Sequence, residues 1–231
     1  MQMEAETEKN QNTILKAYNM LLYFAGSMIM YEPVEECVVD FWSNGILNTL
    51  PVSSTNPRFI KAASQLRGSC GDPDLCLKSL QHDYKRLFLD SGVPFASPVK
   101  SLYPAPYPGN GNGQDGVSHF YNSYGWKNRS RYQIPDDHLG IEILFLTLLN
   151  DKYISMDDEV SRNEMRKEIR RFIQEYILSW ISGWDDKMQE YSETPGYKGI
   201  SSLIYACCED IYTLLGSHEV KKEIKFEVKN G

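Results

Sequence analysis

Three ionisable side chains stand together at Asp136, Asp137 and His138. They lie directly ahead of an apolar run from Leu139 to Leu149 that only Gly140, Glu142 and Thr147 interrupt. Carboxylates and imidazoles are the groups that bind metals and move protons. Adjacent positions on a helix point in different directions, so this trio is a poor chelate by itself. No HExxH or paired ExxH motif supplies further ligands. The same residues suit a helix start, with Pro135 ahead of it, one aspartate as cap and the other in the first turn, both favourable to the helix dipole. Gly140 in that turn costs up to about 1 kcal/mol relative to alanine, so a packing or ligand contact is expected to require it. A capped helix end presenting polar groups describes recognition better than reaction.

Other candidates for chemistry are weaker. His82, His119, His138 and His218 stand in no recognisable nucleophile context. The stretch "GNGNGQDG" has neither a Gly-Lys-Ser/Thr ending nor a strand before it, which makes it a flexible loop rather than a phosphate cradle. The cysteines, Cys37, Cys70, Cys76, Cys207 and Cys208, are odd in number and lack zinc spacing. Reduced thiols in a cytoplasm are the simplest expectation; Cys70 and Cys76 could form a redox pair, but with Cys76 on a helix and Cys70 in the loop ahead of it, separate thiols are expected. No catalytic residue, metal or cofactor is assigned. The rival from another class is a metal- or nucleotide-dependent enzyme using Asp137 and His138.

The charge of −7 disfavours nucleic acid and anionic membrane as partners. An acidic chain can instead attract a basic peptide or a basic patch on another protein. Glu4, Glu6, Glu8, Glu32, Glu35, Glu36 and Asp40 crowd the first forty residues, where a solvated, solubilising surface is the default reading. The opening residues are polar and acidic, so no secretory signal is expected. The apolar stretches fall short of the roughly twenty residues that cross a bilayer, so no membrane insertion is expected.

Helical periodicity dominates the elements that must position these groups. Residues 11 to 29 place Ile14, Leu15, Tyr18, Leu21, Leu22, Ala25, Met28 and Ile29 on one face. Pro33 opens a second helix carrying Val38, Phe41 and Trp42. Asn56, Pro57 and Gly68 punctuate a third. Asp72, Pro73 and Gly92 punctuate a fourth, with Leu77, Leu80, Tyr84 and Leu87 inward. Residues 93 to 133 form a long Pro/Gly-rich loop whose aromatic flanks can pack, with a short helix around Ser118 to Tyr124. Beyond the 139–149 helix, Ser155 caps a long one that breaks near Gly183 or slightly before, with Asp158–Arg162 and Glu168–Arg171 spaced as ion pairs. A last amphipathic helix runs to about 216. The expectation is an all-α chain with a single globular domain over 1–217 and a charged, fraying tail over 218–231.

Two segments carry a resemblance. "IPDDHLGIEILFL" resembles the Glu-Pro-x-Asp-His signature of the TorD/DmsD/NarJ family of redox-enzyme maturation chaperones. "DYKRLFLDSGVPFASPVKSLY" is similar to that family's Asp-Tyr-x-x-Leu-Phe, Pro and Ser-x-Tyr segment. Ile134 replaces the signature's Glu, and Tyr176 stands where relatives often have His before the Trp at 180. The resemblance implies a TorD-like, cytoplasmic, all-helical protein without catalytic activity. It would bind the N-terminal twin-arginine leader peptide of the apo catalytic subunit of a molybdenum-cofactor (molybdopterin) oxidoreductase and delay export until cofactor insertion. The close alternative is a NarJ-like assembly chaperone for a subunit that is not exported. Relatives include swapped dimers, so monomer and swapped dimer are both open. On this reading Asp137 with Asp136 meets the arginines, Tyr84, Phe88, Pro94, Pro98, Ser101 and Tyr103 line a groove, and His138 with Gly140 shapes the helix end.

Overall fold

The computed structural model describes residues 2–38, 41–42, 50–89, 94–103, 114–130 and 133–227, with only the backbone path given for 2–9, 37–38, 114–115 and 217–227. Asp40, Gly92, the centre of the glycine-rich loop at 108–113 and the end of the tail at 228–231 lie outside that description. So do the side chains of Glu4, Glu6, Glu8, Cys37 and His218.

The fold is all-α. In chain order come α1 (Gln2–Met30), α2 (Glu35–Val38), α3 (Pro57–Arg67), α4 (Pro73–Tyr84), α5 (Gln114–Ser123), α6 (Leu139–Ile154), α7 (Glu159–Phe172), α8 (Ile181–Tyr191) and α9 (Pro195–Glu227). Among the described residues there is no strand, only an isolated antiparallel bridge between Val99 and His138. α9 is the hub and packs on α1, α3, α7 and α8, while α6 lies along α1. α9 continues helically to Glu227, past the point where the tail was expected to begin.

The apolar run becomes α6, which is buried around most of its circumference, with Leu148 exposed and Leu144 half-buried. Its polar positions are matched against α1. Asn19 donates to Thr147 O (3.2 Å) and to Asp151 Oδ1 (2.8 Å), and Asn150 donates to Asn19 Oδ1 (2.8 Å). The aromatic flanks of the long loop do pack: Phe120, Tyr121 and Trp126 close on Phe145 of α6, and Phe120 and Phe145 on Phe172 of α7.

Local chemistry explains most helix ends. The side chain of Asn56 accepts from Arg58 N (3.0 Å), and its amide also donates to Glu209 and Asp210 of α9. Asn56→Ala is therefore expected to lower stability by about 1–2 kcal/mol in urea unfolding, from loss of the cap and of those ties. Asp72 caps α4 through Asp74 N and Leu75 N.

Three expectations need correction. Ser155 closes α6 rather than opening α7, whose cap is Asp158, accepting from Ser161 N at 2.7 Å. Arg162 does not pair with Asp158; it turns inward, donates to Met156 O and Asn12 Oδ1, and lies 4.5 Å over the ring of Tyr153. The Glu168–Arg171 pair forms, at 2.7 Å. The helix expected after Pro33 is described as α2 over Glu35–Val38, and Phe41 and Trp42 are again helical, with residues 39–40 between them outside the description. Cys70 and Cys76 are joined in a disulfide, with Cα atoms 5.4 Å apart, not separate thiols. Two helices also pass into π-helical turns, at Lys85–Leu89 after α4 and at Ile173–Leu178 after α7. The chain then breaks at Trp180 before α8, just ahead of Gly183.

Candidate functional site

The cap of α6 is His138, not an aspartate. Its Nδ1 accepts from Gly140 N at 3.0 Å, which requires the neutral ring. Burial holds the imidazole neutral by pushing its pKa down to about 4. The neighbouring aspartates turn to other segments. Asp137 is buried, with Oδ2 accepting from Ser101 N (3.0 Å) and its carbonyl from Lys100 N (3.0 Å). Asp136 accepts from Ser118 Oγ (2.5 Å), and its carbonyl accepts from Tyr121 OH (3.0 Å). The two carboxylates thus fasten the 94–103 segment and α5 to the start of α6. Gly140 has the packing reason expected of it, since a Cβ there would lie 2.3 Å from Met30 Cγ and 2.7 Å from its Sδ.

The Asp-Tyr motif ahead of the first π-turn is a second junction. Asp83 is fully buried and accepts from Glu193 N, Thr194 N and Thr194 Oγ1, the last at 2.8 Å, while Arg86 pairs with it at 3.2 Å. The turn between α8 and α9 is thereby locked to the end of α4. Tyr84 and Phe88 project beyond this lock, edge to face with each other, and Phe88 packs edge to face on Tyr197.

A third cluster lies behind α6. Glu142 is fully buried, and neither carboxyl oxygen has a hydrogen-bond partner. Burial holds this acid well above the usual carboxylate range, partly offset by the nearby Lys100 ammonium and reinforced by Asp137. Lys100 donates to Glu175 O (2.8 Å) and sits over the Tyr176 ring. Burial lowers its own pKa.

Beside the cap opens a cavity of about 1340 Å³. Its walls come from the end of α1 (Ile29, Met30), the end of α4 and its π-turn (Tyr84, Phe88, Leu89), α6 with its cap (His138, Ile141, Leu144) and the stretches 125–130, with Trp126, and 133–135. Of the residues expected to form the site, Tyr84, Phe88, Pro98 and His138 line it. Asp136, Asp137, Gly140, Pro94, Ser101 and Tyr103 do not. Gly140 lies beneath the wall, under Met30. Tyr103 faces elsewhere, donating to Ser97 O and packing on Trp180. The rim carries charges of both signs, Glu32 at the α1–α2 corner and Lys127 with Arg129 across from it. Glu32 is held by Lys85 at 2.9 Å, an exposed pair that exchanges at little cost. Sequence reasoning missed Met30, Ile141, Leu144, Trp126 and this rim. The acidic 32–36 stretch was the one signal that pointed to it.

The Asp137–His138 pair has no common target, since the carboxylate accepts from Ser101 N and the imidazole Nδ1 from Gly140 N. Among the described residues no three His, Cys, Asp or Glu side chains are grouped to hold a metal ion. No described helix is long and apolar enough to cross a membrane.

No curated protein matches the chain. Residues 56–185, more than half its length, match the profile of the nitrate reductase delta subunit, and the match takes in Asp83 and the capped start of α6. The chain therefore belongs to the nitrate reductase delta subunit family, a family of molybdoenzyme assembly chaperones that bind the catalytic subunit.

Proposed function

We propose that the chain holds the N-terminal leader of an apo molybdenum-cofactor oxidoreductase subunit in the cavity beside α6, in the cytoplasm, and delays export until the cofactor is in place. The observation that carries this reading is the cavity itself. At about 1340 Å³ it exceeds the roughly 300–1,000 Å³ typical of small-molecule pockets, and its walls are aromatic and aliphatic beneath a charged rim. That pattern suits a peptide that joins basic residues to an apolar stretch. Glu32, with Glu35 and Glu36 exposed beside it, is the acid that meets the leader's arginines, and Tyr84, Phe88, Ile141 and Leu144 take its apolar part. Two further features fit a binding wall. A π-turn forms part of it, and Gln133 lines it with φ of +51°, a strained backbone of the sort that gathers at functional sites.

The match to the nitrate reductase delta subunit favours a second reading, in which the bound N-terminus belongs to a subunit that is not exported. Titration of the purified chain with the client's N-terminal peptide, and with an Arg-Arg to Ala-Ala version, separates the two. Loss of binding with Ala-Ala is the result expected for a twin-arginine leader, and equal binding favours the second reading. Binding of neither peptide would sink both. Glu32→Ala is expected to weaken the arginine-bearing peptide about fivefold and the Ala-Ala peptide hardly at all, with unchanged stability, because a partly exposed ion pair contributes up to about 1 kcal/mol.

A further inference from the structure

Cys70 lies in the turn between α3 and α4 and Cys76 in the first turn of α4, and their Cα separation of 5.4 Å lies well within the span of a disulfide. Their surroundings differ from those of Cys207 and Cys208, which are fully buried in α9. Burial pushes both of those thiols up, which keeps them unreactive. Cys70 is half-buried, and a second cavity, of about 380 Å³, opens beside both bridged cysteines, so a small thiol or disulfide can reach them.

The bridged loop contains Asp72, the cap of α4. α4 runs without a break into the π-turn that bears Phe88 and Leu89 of the groove wall. Midway, Gln81 Nε2 donates to Pro33 O (2.9 Å), tying the helix to the corner that carries Glu32 and Val34 of the rim. The disulfide therefore anchors one end of the element whose other end forms the groove.

We propose that Cys70 and Cys76 are a reversible dithiol–disulfide site that sets how rigidly α4 presents the groove wall, so that oxidation tightens leader binding and reduction loosens it. The coupling to binding rests on the groove reading above. In the oxidising direction one cysteine thiolate attacks a small-molecule disulfide such as oxidised glutathione and expels one of its thiols. The second cysteine then attacks the mixed disulfide and expels the other thiol. Two cysteine S–H bonds are exchanged for one S–S bond, and the two electrons and two protons end on the two thiols released.

The test uses the full chain equilibrated in mixtures of reduced and oxidised dithiothreitol, trapped with iodoacetamide under denaturing conditions and weighed. Hydrogen exchange over residues 73–84 and titration with the leader peptide are read in parallel, with a Cys70→Ser/Cys76→Ser variant as the permanently open form. The oxidised chain should carry two fewer alkyl groups than its five cysteines allow. Its α4 amides should exchange about tenfold more slowly than in the reduced chain or the variant, the scale set by closing a short loop. Leader affinity should be several-fold tighter. Full alkylation at every ratio would overturn the proposal, and so would a bridge that forms while exchange over 73–84 stays unchanged. A bridge that slows exchange without changing leader affinity would overturn the coupling to binding. Failure of the leader to bind in either state would instead sink the groove reading, and the exchange difference would still decide whether the bridge governs α4.

Discussion

Asp83→Ala is expected to lower stability by about 3–5 kcal/mol, read from urea unfolding followed by tryptophan fluorescence. The carboxylate is fully buried and serves two backbone N–H groups, a hydroxyl and the Arg86 guanidinium. Removing it leaves those part-buried donors without their acceptor, and a donor left unmade costs more than the bond contributed. Arg86 keeps Glu193 (3.4 Å) and the carbonyl of Tyr191, so the guanidinium itself is not abandoned. Asp83→Asn should lose less, because an amide oxygen still accepts from the 193–194 turn. The effect reaches function through Tyr84 and Phe88, which depend on this lock for their place in the groove wall. A loss below about 1 kcal/mol for the alanine variant would show that the junction does not depend on the carboxylate.

Acidification is expected to act through His138. Its folded-state pKa of about 4 lies below the ordinary value of 6.5, so between those limits the native state binds fewer protons than the unfolded state. The stability this confers is complete above pH 6.5 and is lost as the pH falls through 4. It amounts to about 3 kcal/mol at about 1.4 kcal/mol per pH unit. Protonation also removes the lone pair that accepts from Gly140 N. His138→Asn can still cap α6 but does not titrate, so it should match the parent chain to within about 1 kcal/mol at pH 7. It should outlast the parent by about 3 kcal/mol at pH 4. Glu142 titrates in the opposite sense, because its raised pKa makes stability fall as pH rises, but it is common to both proteins and cancels in the difference. Parallel loss of stability in the two proteins from pH 7 to 4 would mean that the buried imidazole is not the titrating group.

The helices were legible in the sequence because their signals are local. Asn56 with Pro57, and Asp72 with Pro73, open helices as written, and the apolar run after His138 is the buried α6. What could not be read depends on contacts far apart in the chain. Asp137 reads as an available acid until Ser101, thirty-six residues earlier, donates its N–H to it. His138 has none of the usual standing of a cap, and only burial keeps its ring in the accepting state. The π-turns have no sequence signature. The groove needs the end of α1, the turn after α4 and the stretches 125–130 and 133–135 to meet, so only residues already carried by the family motifs, Tyr84, Phe88, Pro98 and His138, were anticipated there.

The central claim is that the client peptide lies in the cavity between α1, α4 and α6. Its most direct test places the photo-crosslinking residue benzoylphenylalanine at position Leu144, in the groove, and separately at Val160, exposed on α7, with the leader peptide bound in both cases. Peptide adducts from position 144, mapping to the apolar part of the leader, and none from position 160 are the predicted result. Adducts from position 160 with none from position 144 would contradict it.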